Sequence, residues 1–153
     1  MSAESAAELI LTPNNKVYHL HIDGADIADT VLLVGDPDRV DLISKRFDTI
    51  SASTRNREFV CVTGVYKNKT LTVISTGIGP DNIDIVINEL DAAANFDLQT
   101  RTQYEKLRQL TLIRLGTSGG LQPDLAVGSI VCASHGLGID GVLNFLCRQQ
   151  CRV

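Results

Sequence analysis

The chain has 153 residues, 44% hydrophobic and 21% charged, with a formal net charge of −4 and a pI near 5.2. That length and balance fit one globular domain able to bury roughly two-thirds of its unfolded surface. The acidic balance argues against a general nucleic-acid binder, and no apolar stretch approaches the roughly 20 residues needed to span a bilayer.

Residues 1–16 read as a flexible N-terminal arm ending at the turn Pro13-Asn14-Asn15. The arm carries acids and alanines where a signal peptide has a basic start and an apolar middle, so the expected compartment is the cytoplasm, with reduced thiols. Residues 31–34, V-L-L-V, form the continuous apolar run of a strand buried on both faces. The run opens into G-D-P-D-R-V, where Asp36 caps a helix that starts at Pro37 and runs to about Phe47, with Val40, Leu42 and Ile43 turned inward. Residues 58–66 and 70–75 read as a hairpin about Lys67-Asn68-Lys69.

A third glycine turn follows at residues 75–82, S-T-G-I-G-P-D-N, leading into a helix with Ile83, Ile85, Val86, Ile87, Leu90 and Ala94. Residues 98–109 are polar and charged, an excursion outside the core that helical structure would suit. Residues 111–115, T-L-I-R-L, form another buried strand opening into G-T-S-G-G-L-Q-P, and residues 128–135 a further strand. After residue 145 the alternation stops, and L-C-R-Q-Q-C-R-V at 146–153 reads as a divergent tail on a C-terminally incomplete domain. The predicted class is α/β: a three-layer α/β/α fold with a mixed central sheet. Cys61 and Cys132 lie in apolar runs and read as small buried hydrophobes. Cys147 and Cys151 have no histidine near them and do not form a metal-ligand pattern, so no metal is expected.

Two loops at strand ends carry the chemistry. Glycines let the backbone approach a ligand, and Arg39 and Arg114 offer forked donors suited to a phosphate or carboxylate. Arg114 interrupts an apolar strand, where a buried unpaired charge costs several kcal/mol, so a partner or ligand is expected beside it. By residue type alone, Arg39 and Arg57 also fit a solvated surface, and His19 or its neighbour His21 a structural role.

G-D-P-D-R-V, the N-R-E-F segment at 56–59, S-T-G-I-G and I-R-L-G-T-S-G-G-L-Q-P occur in this order, preceded by V-Y-H-L at 17–20. Together they resemble the nucleoside phosphorylase family, specifically its uridine phosphorylase branch. The resemblance covers residues 17–145, the N-terminal part of such a domain. It implies reversible phosphorolysis, in which inorganic phosphate attacks C1′ of a nucleoside to release a free base and ribose 1-phosphate. Phosphate is then a co-substrate and no cofactor is required.

Matched residue by residue, the resemblance assigns Gly35, Arg39, Arg114 and Thr117 to phosphate, with Thr117 also within reach of the sugar. It assigns Arg57 to a neighbouring subunit's phosphate site and His19 to the ribose 5′-hydroxyl across the same interface. A homo-oligomer follows, built from dimers into a hexamer, with a small nucleoside and phosphate as ligands and neither nucleic acid nor membrane. The sequence departs from the pattern at Pro80-Asp81-Asn82, where the family has a second glycine and then Pro-Ser. The family's base-reading and ribose-gripping segments belong to its second half. An alternative reading is therefore a non-catalytic, truncated paralogue that binds phosphate or pairs with a full-length subunit.

Overall fold

Alternate residues of β1 (Thr30–Val34) feed two separate cores: Val31 and Leu33 face one, Leu32 and Val34 the other. A strand with apolar side chains on both faces must be covered on both, and it is. The computed structural model describes residues 3–138 and Gly141. Residues Met1–Leu115 form one compact unit and Gly116–Val153 a second.

The first unit holds a five-stranded sheet in the order β2-β3-β4-β1-β7. Its strands are β1, β2 (Thr49–Asn56), β3 (Phe59–Tyr66), β4 (Lys69–Ser75) and β7 (Thr111–Arg114). β4, β1 and β7 run parallel, whereas β2 and β3 are antiparallel additions, so the sheet is mixed as predicted. Helix α1 (Pro37–Ser44) contributes Val40 and Ile43 to the core with Val34, Val60, Val62 and Val73. Helix α2 (Pro80–Asn95) contributes Val86, Leu90, Ala93 and Ala94 to the core with Val31, Leu33, Cys61 and Ile74. The helices lie on opposite faces, giving the expected three layers. Asp36 caps α1 as predicted, its carboxylate accepting from the Asp38 N–H at 2.9 Å. β3 and β4 form the predicted hairpin, with Lys67 (φ 48°) and Asn68 (φ 64°) both left-handed, as a two-residue turn that follows the strand twist requires.

Several expectations are corrected. α1 stops at Ser44, short of Phe47, and Leu42 is 63% exposed. Val40 and Ser44 are four residues apart and share the buried face, and Leu42 lies about half a turn away from either. Ile87 of α2 is likewise outward. β2 was missed because Thr-Ile-Ser-Ala-Ser-Thr-Arg-Asn is a polar edge strand, half-buried only at alternate positions. Residues 98–109 contain no helix; β5 (Phe96–Asp97) and β6 (Thr102–Gln103) form a small second sheet there, and Leu98 is buried.

β7 is exposed along its length, because within its own unit it pairs only with β1 and forms the sheet's edge. Residues 128–135 form no strand, and Cys132 is exposed accordingly, with no pleated surface to bury it. Cys147, Cys151 and the tail at 146–153 lie outside the described residues. Within the N-terminal arm, Leu9 packs into the core, the Glu4 N–H donates to Arg101 O, and Leu11 bridges Val17. Among the described residues no helix is long and apolar enough to cross a membrane.

Candidate functional site

β1 and β4 are adjacent and parallel, but the loop after β1 leads to α1 on one face and the loop after β4 to α2 on the other. Loops that part in this way leave a crevice at the carboxyl ends of their strands, where open α/β sheets bind ligands. The Gly35 and Gly77 loops flank that crevice. Gly35 lies close to both neighbours: a Cβ there would meet Arg114 Nη2 at 3.4 Å and the Gly77 carbonyl oxygen at 3.7 Å.

Arg114 ends β7, whose register sets it opposite Leu33, and the next N–H, of Leu115, donates to Leu33 O at 2.8 Å. Arg39, in the first turns of α1, reaches back so that Nη1 donates to Leu115 O over 3.4 Å. Arg114 thus lies against the Gly35 turn, and Arg39 reaches the carbonyl of the residue that follows Arg114 in the chain. Neither has a carboxylate within ion-pair distance among the described residues. Two cations without a carboxylate partner on neighbouring elements favour an anion near them. The expectation that Arg114 is buried is corrected: the side chain sits on an exposed edge strand, so its placement beside Gly35, and not desolvation, is what marks it.

Buried hydroxyls lace the neighbouring loops to this point. Thr76, fully buried, donates its N–H to Val34 O at 2.7 Å, which ties the end of β4 to the end of β1. Ser75 Oγ donates to Glu58 O at 2.6 Å and accepts from the Val60 N–H at 2.7 Å, which ties the β2–β3 turn to β4. That turn carries Arg57, exposed and left-handed (φ 53°). Arg57 therefore stands on the same end of the sheet as Gly35, Arg39 and Arg114, but beyond β4 and toward the β2 edge. Residue-type reasoning missed Ser75 and Thr76; their signal was a hydroxyl pair leading into the third glycine turn. Gly77 takes a left-handed φ of 67°, which glycine adopts without the strain that a side chain would bring. Gly79 occupies the N-cap of α2 and Pro80 its first position, so Asp81 is a first-turn acid and not the cap.

His19 lies on the same rim, its carbonyl oxygen accepting from Asn56 Nδ2 at 2.8 Å. Its Nδ1 is 2.6 Å from Glu89 Oε1, and the same carboxylate accepts from the N–H groups of His19 and Leu20. Glu89, on α2, was not picked out from the sequence, where it reads as one more helix-surface acid. His21 adopts φ 55° in the turn whose N–H donates to Val17 O. Thr117 belongs to the second unit, with its side chain exposed.

Behind the site, the segment leading into β1 is fixed by Arg108, which donates to Asp29 Oδ1 (2.5 Å), Gly24 O (2.8 Å) and Ile27 O (2.6 Å). Lys16 pairs with Asp26 in the same segment, and that hydrogen bond, more than the surrounding charge, holds its ammonium above the usual lysine range.

A family model described as the phosphorylase superfamily matches residues 29–148. The uridine phosphorylase of Treponema pallidum (strain Nichols) is 35% identical over 124 residues, 81% of this chain and 43% of that protein. A DeoD-type purine nucleoside phosphorylase of Levilactobacillus brevis is 38% identical over 117 residues, 75% of this chain and 44% of that protein. The crystal structure of a Trypanosoma brucei nucleoside phosphorylase, described as showing uridine phosphorylase activity, superposes with a TM-score of 0.66 at 37% identity. It covers 72% of this chain and 39% of that one. The chain thus spans less than half the length of the relatives it matches.

Proposed function

This chain belongs to the phosphorylase superfamily, and from that premise we propose that it supplies the phosphate-binding side of a nucleoside phosphorylase of the uridine type. The reaction is uridine plus inorganic phosphate to uracil plus ribose 1-phosphate. The observation that carries this reading is Arg114 set against Gly35 at the carboxyl end of β1, with Arg39 reaching the Leu115 carbonyl at the adjoining end of β7. A phosphate oxygen attacks C1′ as the C1′–N bond breaks, through a ribosyl cation. The protein's work is to strip, orient and hold a dianion against that cation. Two guanidiniums do this without giving up a proton, because arginine stays charged.

Arg57 and His19 share one rim of the sheet, linked through Asn56, and both serve a second copy of the chain: Arg57 to its phosphate and His19 to its ribose. The test is a chimera of residues 1–138 joined to the remaining part of the Treponema pallidum uridine phosphorylase. Uracil release should require phosphate and match ribose 1-phosphate mole for mole. Release that is indifferent to phosphate would make the reaction a hydrolysis and overturn the proposal.

A further inference from the structure

Glu89 has no part in the phosphate site, yet its carboxylate is the most heavily used on the rim. Oε1 lies 3.0 Å from the His19 N–H and 2.6 Å from His19 Nδ1; Oε2 lies 2.9 Å from the same N–H and 2.8 Å from that of Leu20. Two backbone donors converge on it, so both oxygens act as acceptors and Nδ1 must be the donor in its own contact. The ring is also held sideways. Tyr18 meets it edge-on at 5.0 Å and Phe59 at 6.4 Å. Among the described residues Nε2 has no hydrogen-bond partner.

We propose that Glu89 is a positioning residue: it fixes the proton of His19 on Nδ1 and so presents Nε2 as a bare acceptor for a sugar hydroxyl. The hydroxyl's identity rests on the proposed ribose contact of His19; the tautomer does not. A ring fastened at one nitrogen by an anion cannot exchange its tautomers freely, and its free nitrogen becomes a better acceptor. The hydroxyl then donates to Nε2, leaving its own lone pairs for other groups.

Glu89→Gln tests this with little change of shape. The two backbone donors cannot reverse, so the amide oxygen must take the Oε2 position, where it keeps both. The amide NH2 then faces Nδ1, which has to become the acceptor, and the proton moves to Nε2. Long-range 1H–15N spectra of His19 in the 153-residue chain should show protonated Nδ1 in the wild type and protonated Nε2 in Glu89→Gln. Protonated Nε2 in the wild type, or an unchanged tautomer in the variant, overturns the proposal. Glu89→Asp, which keeps the carboxylate, is expected to restore the wild-type pattern.

In the chimera, Glu89→Gln should lower kcat/KM for uridine relative to 5′-deoxyuridine by about 3- to 10-fold, one hydrogen bond's worth. Combined with His19→Ala it should add nothing. An equal loss on both substrates would make Glu89 merely structural. If His19→Ala itself fails to discriminate the two substrates, the ribose contact is what falls, and the spectra still decide the tautomer.

Discussion

Replacing Thr72 with valine removes one hydroxyl from the middle of a buried relay. The Ala28 N–H donates to Thr72 Oγ1 (2.8 Å), Thr72 and Thr63 share a 2.7 Å contact, and Thr63 Oγ1 donates to Asp26 O (2.6 Å). An N–H can only donate and a carbonyl can only accept, so the relay runs one way: Ala28 to Thr72 to Thr63 to Asp26. Thr72 is fully buried and Thr63 nearly so. Valine matches the shape but strands the Ala28 N–H, at about 1–3 kcal/mol for an unsatisfied buried donor, and deletes a second bond worth about 1 kcal/mol. The sum is about 2–4 kcal/mol.

Thr63→Val strands the Asp26 carbonyl and the Thr72 hydroxyl proton, but that hydroxyl can rotate whereas the Ala28 N–H cannot, so the cost should be less, about 1–2 kcal/mol. The double variant should fall short of the sum by about 1 kcal/mol, since the shared bond is lost once. Urea unfolding followed by circular dichroism should show the Thr72→Val midpoint lowered by about 1–2 M for a slope near 2 kcal/mol/M. A loss below about 0.5 kcal/mol, or a larger loss for Thr63→Val, would refute the relay. The consequence reaches the site, because residues 26–28 lead directly into β1 and Gly35.

Three further outcomes are expected. Arg114→Ala in the chimera should lower phosphorolysis by about 10²–10³-fold, the usual loss for one preorganised charge-stabilising group; under about threefold would make this arginine structural. Burial, reinforced by the negative charge of Asp26, pushes the Cys61 thiol up to about 12. A disulfide reagent followed by peptide mapping should therefore modify exposed Cys132 first and Cys61 only on unfolding, and equal rates would contradict that. The folded state raises the Lys16 ammonium above its ordinary 10.5, chiefly through Asp26, so its contribution to stability is fully present below that value and is lost as pH rises through the higher folded value. Lys16→Met should flatten the alkaline limb of the stability curve, and an unchanged limb would show that the pair contributes nothing.

The parallel strands β1 and β4, the hairpin, the Asp36 cap and both helices were legible in the sequence because apolar runs and turn residues report burial locally. β2 was not, since a polar edge strand is made a strand by its neighbour β3 and not by its own pattern. The exposure of β7 was equally hidden: T-L-I-R-L looks like a central strand, and only the sheet order shows that β7 lies at the edge. Among the site residues, glycine turns and arginines announced themselves by type. Glu89, Ser75 and Thr76 act through partners up to 70 residues away, and no local spacing reveals such pairs.

The decisive property of this chain is phosphate binding at the end of its sheet. Titrating inorganic phosphate into the 153-residue chain by calorimetry, at low ionic strength and with chloride as a control, measures that directly. Saturable one-site binding is expected, weakened at least tenfold by Arg39→Ala and by Arg114→Ala and left unchanged by Arg55→Ala, whose side chain is already paired with Asp41. No binding, or binding that ignores both arginines, would contradict it.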